Sequence, residues 1–330
     1  MEIGKLPNEV LQFLVLDKIR NTRREVLVNP AVGEDCSAID FGQELCVISS
    51  DPITGTENEI GRIAVHVSCN DIASSGAEPI GIMVTMLIPP GASMSSVEKV
   101  MKQLANTATA SNVDIIGGHT EVTDAVNRFV ISVTAVGKTI SKNLIKTSGV
   151  KPGDSFILTK TAGLEGTAIL AFQNQKELAQ KFGSPLVIDA KKLMAQLSVV
   201  KEGMIAARHG VHAMHDVTEG GVLGAVWEMC DASGCGAEIM KDSIPVPDVT
   251  RIICNYFNIN PLKLMSSGCM LIATETGSAL VEKLANEGIQ ATIIGKATEK
   301  KSRLLITETG AVMIPSPKSD ELYKVKKREE

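Results

Sequence analysis

The chain has 330 residues, which at about 150 residues per domain indicates two domains. Hydrophobic residues make up 44% and charged residues 22%, a composition that supports a real core and excludes a mainly disordered chain. Aromatic residues make up 3% and the net charge is −5, which argues against nucleic-acid binding through base stacking or a basic surface.

Cysteine usage and targeting signals indicate the compartment. Seven scattered cysteines with no CxxC pair do not form a secreted disulfide framework, so reduced thiols fit better. The segment MEIGKLPNEV lacks the features of a signal peptide. The longest apolar stretch, 80–88, is about half the ~20 residues that a membrane helix needs. We therefore expect a cytoplasmic protein with no membrane partner.

In the first half, strand-like and helix-like segments alternate from about residue 43. Apolar and β-branched runs predict strands at 45–50, 80–88, 113–116 and 129–136. A helical period predicts helices at 60–74 and from Ser95-Ser96 to 108. The uninterrupted apolar character of 80–88 predicts a strand that is buried on both faces.

The polar segment 140–152, which contains glycine and proline, predicts a boundary between domains 1–145 and 146–330. Beyond it, a strand at 155–160 precedes a helix from about 165, and two helices follow between 189 and 208. A helix is expected at 219–234, followed by helices near 248–257 and 277–287 and by strands near 236–240, 269–274, 291–295 and 303–307. Both halves are thus predicted to be mixed α/β units.

Acidic residues stand at the ends of predicted elements, beside glycine or other small residues: Asp35, Asp51, Asp71, Glu121 and Asp216. Simple structural alternatives exist, since Asp35 fits a turn, Asp51 fits a strand end and Asp216 fits a helix cap. If several of them converge, they need a cation, because two carboxylates about 4 Å apart repel by about 4 kcal/mol at an effective dielectric of about 20. Oxygen ligands favour Mg²⁺ over Zn²⁺, and Mg²⁺ on few carboxylates is suited to nucleotide phosphates.

Asp71 is the strongest of these candidates. In an ideal helix it shares a stripe with the apolar residues Ile60, Ala64 and Val67. A carboxylate on a buried stripe needs a partner, because unpaired burial of charge is costly. The partner is either a cation, with Asn70 supplying another oxygen, or an arginine such as Arg62.

Glycines follow three predicted strands, at Gly117-Gly118, at Gly163 and Gly166, and at Gly220-Gly221. Glycines at strand–helix turns let backbone N–H groups approach phosphate. Neither a GxxxxGK[ST] loop nor GxGxxG after a strand is present, so the common nucleotide folds are unsupported. Lys160, which ends a strand, either meets phosphate or is solvated, and His119 is a candidate acid or base.

Five motifs occur in a fixed order: GEDC at 33–36, SSDPITG at 49–55, NDIASSGAEP at 70–79, GGHTE at 117–121 and DVTEGG at 216–221. Over nearly the whole chain this set resembles the superfamily of aminoimidazole ribonucleotide (AIR) synthase, thiamine-monophosphate kinase, selenophosphate synthetase and the hydrogenase-maturation protein HypE. NDIASSGAEP is its most specific part. The spacing from Asp51 through GRIAVHVSCND is most similar to the HypE group.

The resemblance implies a two-domain PurM-like α/β (α+β) fold, a homodimer built on the N-terminal domains, and Mg-ATP bound near that interface. It implies metal- and phosphate-binding positions for Asp35, Asp51, Asp71 and Glu121. Together with the glycines that follow strands, the resemblance leads us to predict five cofactor-binding residues: Asn70, Gly117, Gly118, Lys160 and Gly163. We predict catalytic roles for Asp216 and His119.

Two functions fit this reading. The first is an Mg-ATP-dependent enzyme that activates an acceptor oxygen by phosphorylation, and the second is a nucleotide-binding partner of a maturation or biosynthetic complex. The HypE group implies a short tail whose terminal cysteine carries a carbamoyl group, whereas this sequence ends YKVKKREE and its last cysteine is Cys269. We expect the fold and the ATP site to transfer but not the thiocyanate-forming reaction, with a maturation protein as a candidate partner.

Overall fold

The computed structural model describes residues 8–9, 12, 27–28, 31–34, 36–54, 58–139 and 144–325. Within these residues each half of the chain contributes one mixed sheet with helices packed on it. The mixed α/β class predicted for both halves is therefore confirmed. None of the described helices combines the length and the apolar character that are needed to cross a bilayer.

The first sheet has five strands in the order β1-β2-β5-β3-β4. Their bounds are Ser37–Asp40 (β1), Leu45–Ile53 (β2), Ala77–Ile88 (β3), Asp114–Val122 (β4) and Val130–Thr139 (β5). β3 and β4 are parallel, and the other neighbours are antiparallel. Helix α1 (Ile60–Ser74) packs on this sheet, and α2 (Met94–Ala110) packs against α1.

Helix α1 joins the hydrophobic cores of the two halves. Ile60, Ala64 and Ile72 belong to the core of the first sheet. Ile63 and Val67 belong to the large core of the second half. The helix is therefore buried on nearly all sides, and its bounds confirm the helix predicted at 60–74. Any polar side chain on α1 that faces the second half lies between the two units.

The second sheet has seven strands in the order β12-β11-β8-β10-β6-β9-β7. Their bounds are Ser155–Thr159 (β6), Ala213–Asp216 (β7), Gly236–Met240 (β8), Met270–Thr274 (β9), Ala291–Thr298 (β10), Arg303–Thr307 (β11) and Gly310–Met313 (β12). The helices are Leu164–Gln173 (α3), Gln175–Phe182 (α4), Ser184–Lys192 (α5), Val200–His209 (α6), Gly221–Ser233 (α7), Asp248–Phe257 (α8) and Gly277–Asn286 (α9). Hydrophobic cores cover both faces of its central strands, as the adjacent residues Phe156 and Ile157 show by entering different cores.

The first sheet differs, because one of its faces is open. Along β3 buried and exposed residues alternate, and Ile80 and Met83 are 45% and 48% exposed. All nine residues of the edge strand β4 are exposed, including Ile116 and Val122. In a single chain the stretch 80–88 is thus buried on one face only, and burial of its other face, in the expected homodimer, stays a prediction.

Several element bounds also differ from the sequence-based expectation. Ser93 caps α2 by accepting a hydrogen bond from the Ser96 backbone N–H, two residues before the expected cap. The strand expected at 113–116 continues as β4 through Gly117-Gly118 and beyond. The short elements β1, β12 and α4 were not predicted, because each is too brief to show a clear period.

Candidate functional site

A cleft lies between the two halves of the chain. One wall is formed by the end of β2 and by α1. The opposite wall is formed by α3, the loops that precede α7 and β9, and the segment after β12. The lining residues are Asp51, Pro52, Ile53, Thr54, Ile63, Val67 and Asp71 from the first half, and Glu165, Ile169, Thr218, Glu219, Met265, Ser267 and Tyr323 from the second.

The first wall carries two of the predicted metal ligands. Asp51 lies near the end of β2, and Asp71 on α1 is only 2% exposed. The Ser49 hydroxyl donates a hydrogen bond of 2.5 Å to Asp71 Oδ2. Arg62, the alternative partner for Asp71, forms an ion pair with Glu59 at 3.3 Å. The structure therefore brings two carboxyl groups to one wall of the cleft.

The second wall carries buried carboxyl groups that the sequence analysis did not identify. Glu165 lies in the first turn of α3 and is 6% exposed. Its pKa is raised to about 7, mainly by burial, with the nearby acids Asp320 and Glu219 adding to the rise and hydrogen bonds from Ser267 opposing it. Tyr323 donates a 2.8 Å hydrogen bond from its hydroxyl to Glu219. These groups come from four separate segments of the second half.

Asp320 supports this wall from the C-terminal segment. Its Oδ2 accepts a 2.7 Å hydrogen bond from the Gly220 backbone N–H, and its Oδ1 accepts one from Leu322. Burial raises the pKa of Asp320 to about 6, against the effect of these backbone donors. The segment after β12 is thus anchored to the start of α7 and completes the cleft.

Asn70 connects the two halves. It is fully buried, its Nδ2 donates to the Leu197 carbonyl at 2.8 Å, and its Oδ1 accepts from the Val199 N–H at 2.8 Å. Both polar ends of the side chain are engaged by the protein. The geometry gives Asn70 a structural role beside the cleft, and the predicted contact with a cofactor stays a prediction.

Lys160 is also engaged by the protein. Its Nζ donates to the carbonyls of Ser198 at 2.7 Å and Gly268 at 2.9 Å, and it forms an ion pair with the buried Glu202. An ammonium group has three donors, so phosphate would have to replace one of these partners. At the predicted glycine turn that follows Lys160, the Gly163 backbone N–H donates a hydrogen bond to the Ser266 hydroxyl at 2.7 Å. Cofactor binding by both residues stays a prediction.

The GGHTE motif lies on β4 and not at a strand–helix turn. Gly118 has φ +148°, and a Cβ there would lie 1.9 Å from the Val84 carbonyl oxygen, so glycine is needed for the close approach of β3. His119 Nε2 and Glu121 Oε2 are 3.0 Å apart, with side chains 64% and 48% exposed. Neither lines the cleft of the single chain, and the catalytic role of His119 and the metal-binding role of Glu121 stay predictions.

Of the remaining predicted residues, one lies beside the cleft and one lies outside the described part of the chain. Asp216 ends β7 and is 1% exposed, two residues before Thr218 in the cleft wall. Asp35 lies outside the described residues. In the part of the chain that the structure describes, no three or more His, Cys, Asp or Glu side chains are grouped to hold a metal ion. Asp51 and Asp71 still fit Mg²⁺, which proteins often hold through one or two carboxylates together with substrate phosphates.

Comparison with known proteins assigns the family. Residues 33–139 match the N-terminal domain of the AIR synthase related proteins, and residues 151–306 match the C-terminal domain. A Methanocaldococcus jannaschii protein named as a hydrogenase expression/formation protein is 30% identical over 331 residues, covering 96% of each chain. The chain belongs to the AIR synthase-related family. The carbamoyl dehydratase HypE of Escherichia coli K12 is 28% identical over 257 residues, which covers 76% of this chain and 74% of HypE.

Solved structures show that the AIR synthase-related fold of this chain is close to that of HypE. The structure of a HypE–HypF complex matches with a TM-score of 0.78 at 22% identity, covering 93% of this chain and 99% of the other. HypE in complex with ATP matches with a TM-score of 0.69 at 19% identity, covering 95% of each chain. The predicted two-domain PurM-like fold and its similarity to HypE are confirmed.

Proposed function

We propose that this protein is an ATP-dependent, HypE-like hydrogenase maturation enzyme that phosphorylates an acceptor oxygen. The observation that carries the proposal is the pair of carboxyl groups, Asp51 and Asp71, on one wall of a cleft between the two domains. A family member of this fold has been solved with ATP. The cleft offers one polar wall to a nucleotide–metal complex and leaves the other wall for the acceptor.

Magnesium fits the first wall. Mg²⁺ keeps several of its own waters and needs few protein ligands when phosphate oxygens supply the others. Asp51 and Asp71 are the residues that would hold it, and the Ser49 hydroxyl orients Asp71. A bound divalent ion neutralises charge that develops on the transferred phosphoryl group.

The acceptor class follows from relatives that are named carbamoyl dehydratases, and it replaces the expectation from the sequence that the thiocyanate-forming reaction does not transfer. A carbamoyl group loses its oxygen more easily as phosphate than as hydroxide, which gives ATP its role. Three of the seven cysteines are poor carriers, because burial raises the pKa of Cys69, Cys254 and Cys269 to about 12. A test of the reaction therefore supplies the carbamoyl thiol as a separate peptide, standing in for a cytoplasmic maturation partner.

The open face of the first sheet supports a homodimer. Exposed apolar side chains on β3 and β4 form one surface: Ile80, Met83, Ile116 and Val122. Burial of such a surface against a second copy would also place His119 and Glu121 at the interface. We expect sedimentation at micromolar concentration to give twice 35.0 kDa and the paired change Met83→Glu with Val122→Lys to give 35.0 kDa. A wild-type monomer would contradict the dimer.

Acceptor-dependent product formation tests the function. The protein is incubated with Mg-ATP and a short peptide that ends in an S-carbamoyl cysteine. We expect release of ADP and phosphate that depends on the peptide, together with loss of one water from the peptide in mass spectrometry. The alternative, a nucleotide-binding partner without chemistry of its own, predicts ATP binding by calorimetry with no peptide-dependent ADP.

A further inference from the structure

Glu165 is a carboxyl group that the proposed phosphate site does not use. It is 6% exposed in a helix turn whose neighbours in LEGTAILA are mainly apolar. It nevertheless lines the cleft, on the wall opposite Asp51 and Asp71. A buried carboxyl group at the edge of a reaction space is costly to keep charged, so its presence there calls for a chemical role.

The groups around Glu165 come from several elements that border the cleft. Ser267, in the loop before β9, donates hydrogen bonds that favour the carboxylate. Asp320 and Glu219 are acidic and disfavour it. Ile63 and Val67 of α1 are apolar and line the same cleft. Among the described residues of the cleft wall, none is a lysine, arginine or histidine.

We propose that Glu165 is the proton acceptor for the carbamoyl group, taking the N–H proton as the carbamoyl oxygen is phosphorylated. The proposal rests on the proposed function and assigns to one residue a step that the function requires. Glu165 is placed for this step because it faces the first wall across the cleft and is shielded from bulk water. The neighbouring Asp51 and Asp71 remain available for the phosphate side.

The step balances without any further reactant. The acceptor oxygen forms a bond to the γ-phosphorus of ATP, and the bond from that phosphorus to the β–γ bridging oxygen breaks, leaving its electron pair on ADP. Glu165 takes the N–H proton, and the N–H electron pair becomes the C=N bond. The products are an O-phosphorylated imidate, ADP and a protonated Glu165, which then returns its proton to solvent.

The acidity of Glu165 suits this work near neutral pH. Burial and the two acids raise its pKa to about 7. A general base is most effective when its pKa lies near the working pH, because it is then both partly ionised and basic enough to accept a proton. Removal of the Ser267 hydroxyl should raise this pKa further, since that hydroxyl favours the carboxylate.

The test compares Glu165→Gln, Ser267→Ala and the control Glu282→Gln, which changes an exposed residue of α9. With the S-carbamoyl peptide, we expect Glu165→Gln to lower kcat by at least about 100-fold, as for other general bases. Calorimetric affinity for Mg-ATP should be unchanged. Ser267→Ala should move the acidic limb of kcat/KM to higher pH, and the control should match the wild type.

A second measurement needs no substrate. Infrared difference spectra of the ligand-free protein between about pH 5.5 and about pH 8.5 should show a protonated carboxyl band that is clearly smaller in Glu165→Gln, with the remainder coming from Asp320. Kinetics within threefold of wild type in Glu165→Gln, or an infrared band that survives this change in full, would overturn the role of Glu165. A wild-type protein without peptide-dependent ADP would instead contradict the proposed function itself.

Discussion

The two walls of the cleft place the same chemical group in different surroundings. On the first wall, Asp51 stands at a strand end and Asp71 accepts a hydrogen bond from Ser49. On the second wall, burial and neighbouring acids raise the pKa of Glu165 to about 7. Carboxyl groups in contrasting environments can take different tasks, one set as charged ligands and the other as a proton acceptor. The contrast predicts separable effects on binding, catalysis and stability.

The largest effect is expected from the first wall. Asp71→Asn should weaken Mg-dependent ATP binding by about 100-fold, because even the loss of a group that only orients a metal ligand typically costs about 10- to 100-fold. Asp51→Asn should act in the same direction. Calorimetric titration of Mg-ATP into each variant measures it, with the exposed Asp189→Asn as the control. Unchanged affinity in both cleft variants would remove the distinction between the walls.

The second wall should instead show a pH-dependent gain in stability. The pKa of Glu165 rises from 4.5 to about 7 on folding, so its ionisation destabilises the folded state as pH increases through this window. Glu165→Gln should therefore be more stable than wild type by about 2 to 3 kcal/mol near pH 8.5. Below about pH 4.5 the difference should vanish, because the Glu165 carboxyl group is then protonated in both the folded and the unfolded protein.

Denaturant titrations at a series of pH values measure this difference. The exposed Glu282→Gln serves as the matched control and should give a curve parallel to wild type. If the stability difference between Glu165→Gln and wild type were the same at every pH, the Glu165 carboxyl group would not lie in a site that disfavours its charge. The two walls would then be chemically alike.

A smaller effect is expected where the walls are joined. Asn70→Ala removes both hydrogen bonds from α1 to the Leu197 carbonyl and the Val199 N–H. Leaving these buried groups unsatisfied should cost about 2 kcal/mol of stability. Denaturant titration of this variant beside the exposed Asn286→Ala measures it. A cost equal to that of the control would mean that Asn70 does not hold the walls together.

Local patterns predicted the first wall well. The apolar period of 60–74 gave α1 with its observed bounds, and the position of Asp71 on that stripe marked it as a buried carboxyl group. The motif order identified the family. Each of these signals lies within one helix or one short motif, so it can be recognised without knowledge of tertiary contacts. The domain boundary at 145/146 stays a prediction.

The second wall could not be predicted in the same way. Glu165 and Tyr323 are brought together by folding from opposite ends of the second half. The glycines of GGHTE lie within β4 and not at a strand–helix turn, because glycine serves a close strand contact as well as a phosphate turn, and Gly118 makes such a contact. Cofactor binding by Gly117 and Gly118 stays a prediction. The apolar run of β3 predicts burial on both faces, but the run by itself does not say whether the second face is covered within the chain or by a second copy.

The central claim is that Mg-ATP binds in the cleft with its phosphates on the first wall. A crystal structure with Mg²⁺ and a non-hydrolysable ATP analogue tests it most directly. We predict density for the metal beside Asp51 and Asp71, and space for an acceptor between the terminal phosphate and Glu165. A nucleotide bound elsewhere, with the cleft between the two domains empty, would contradict the account.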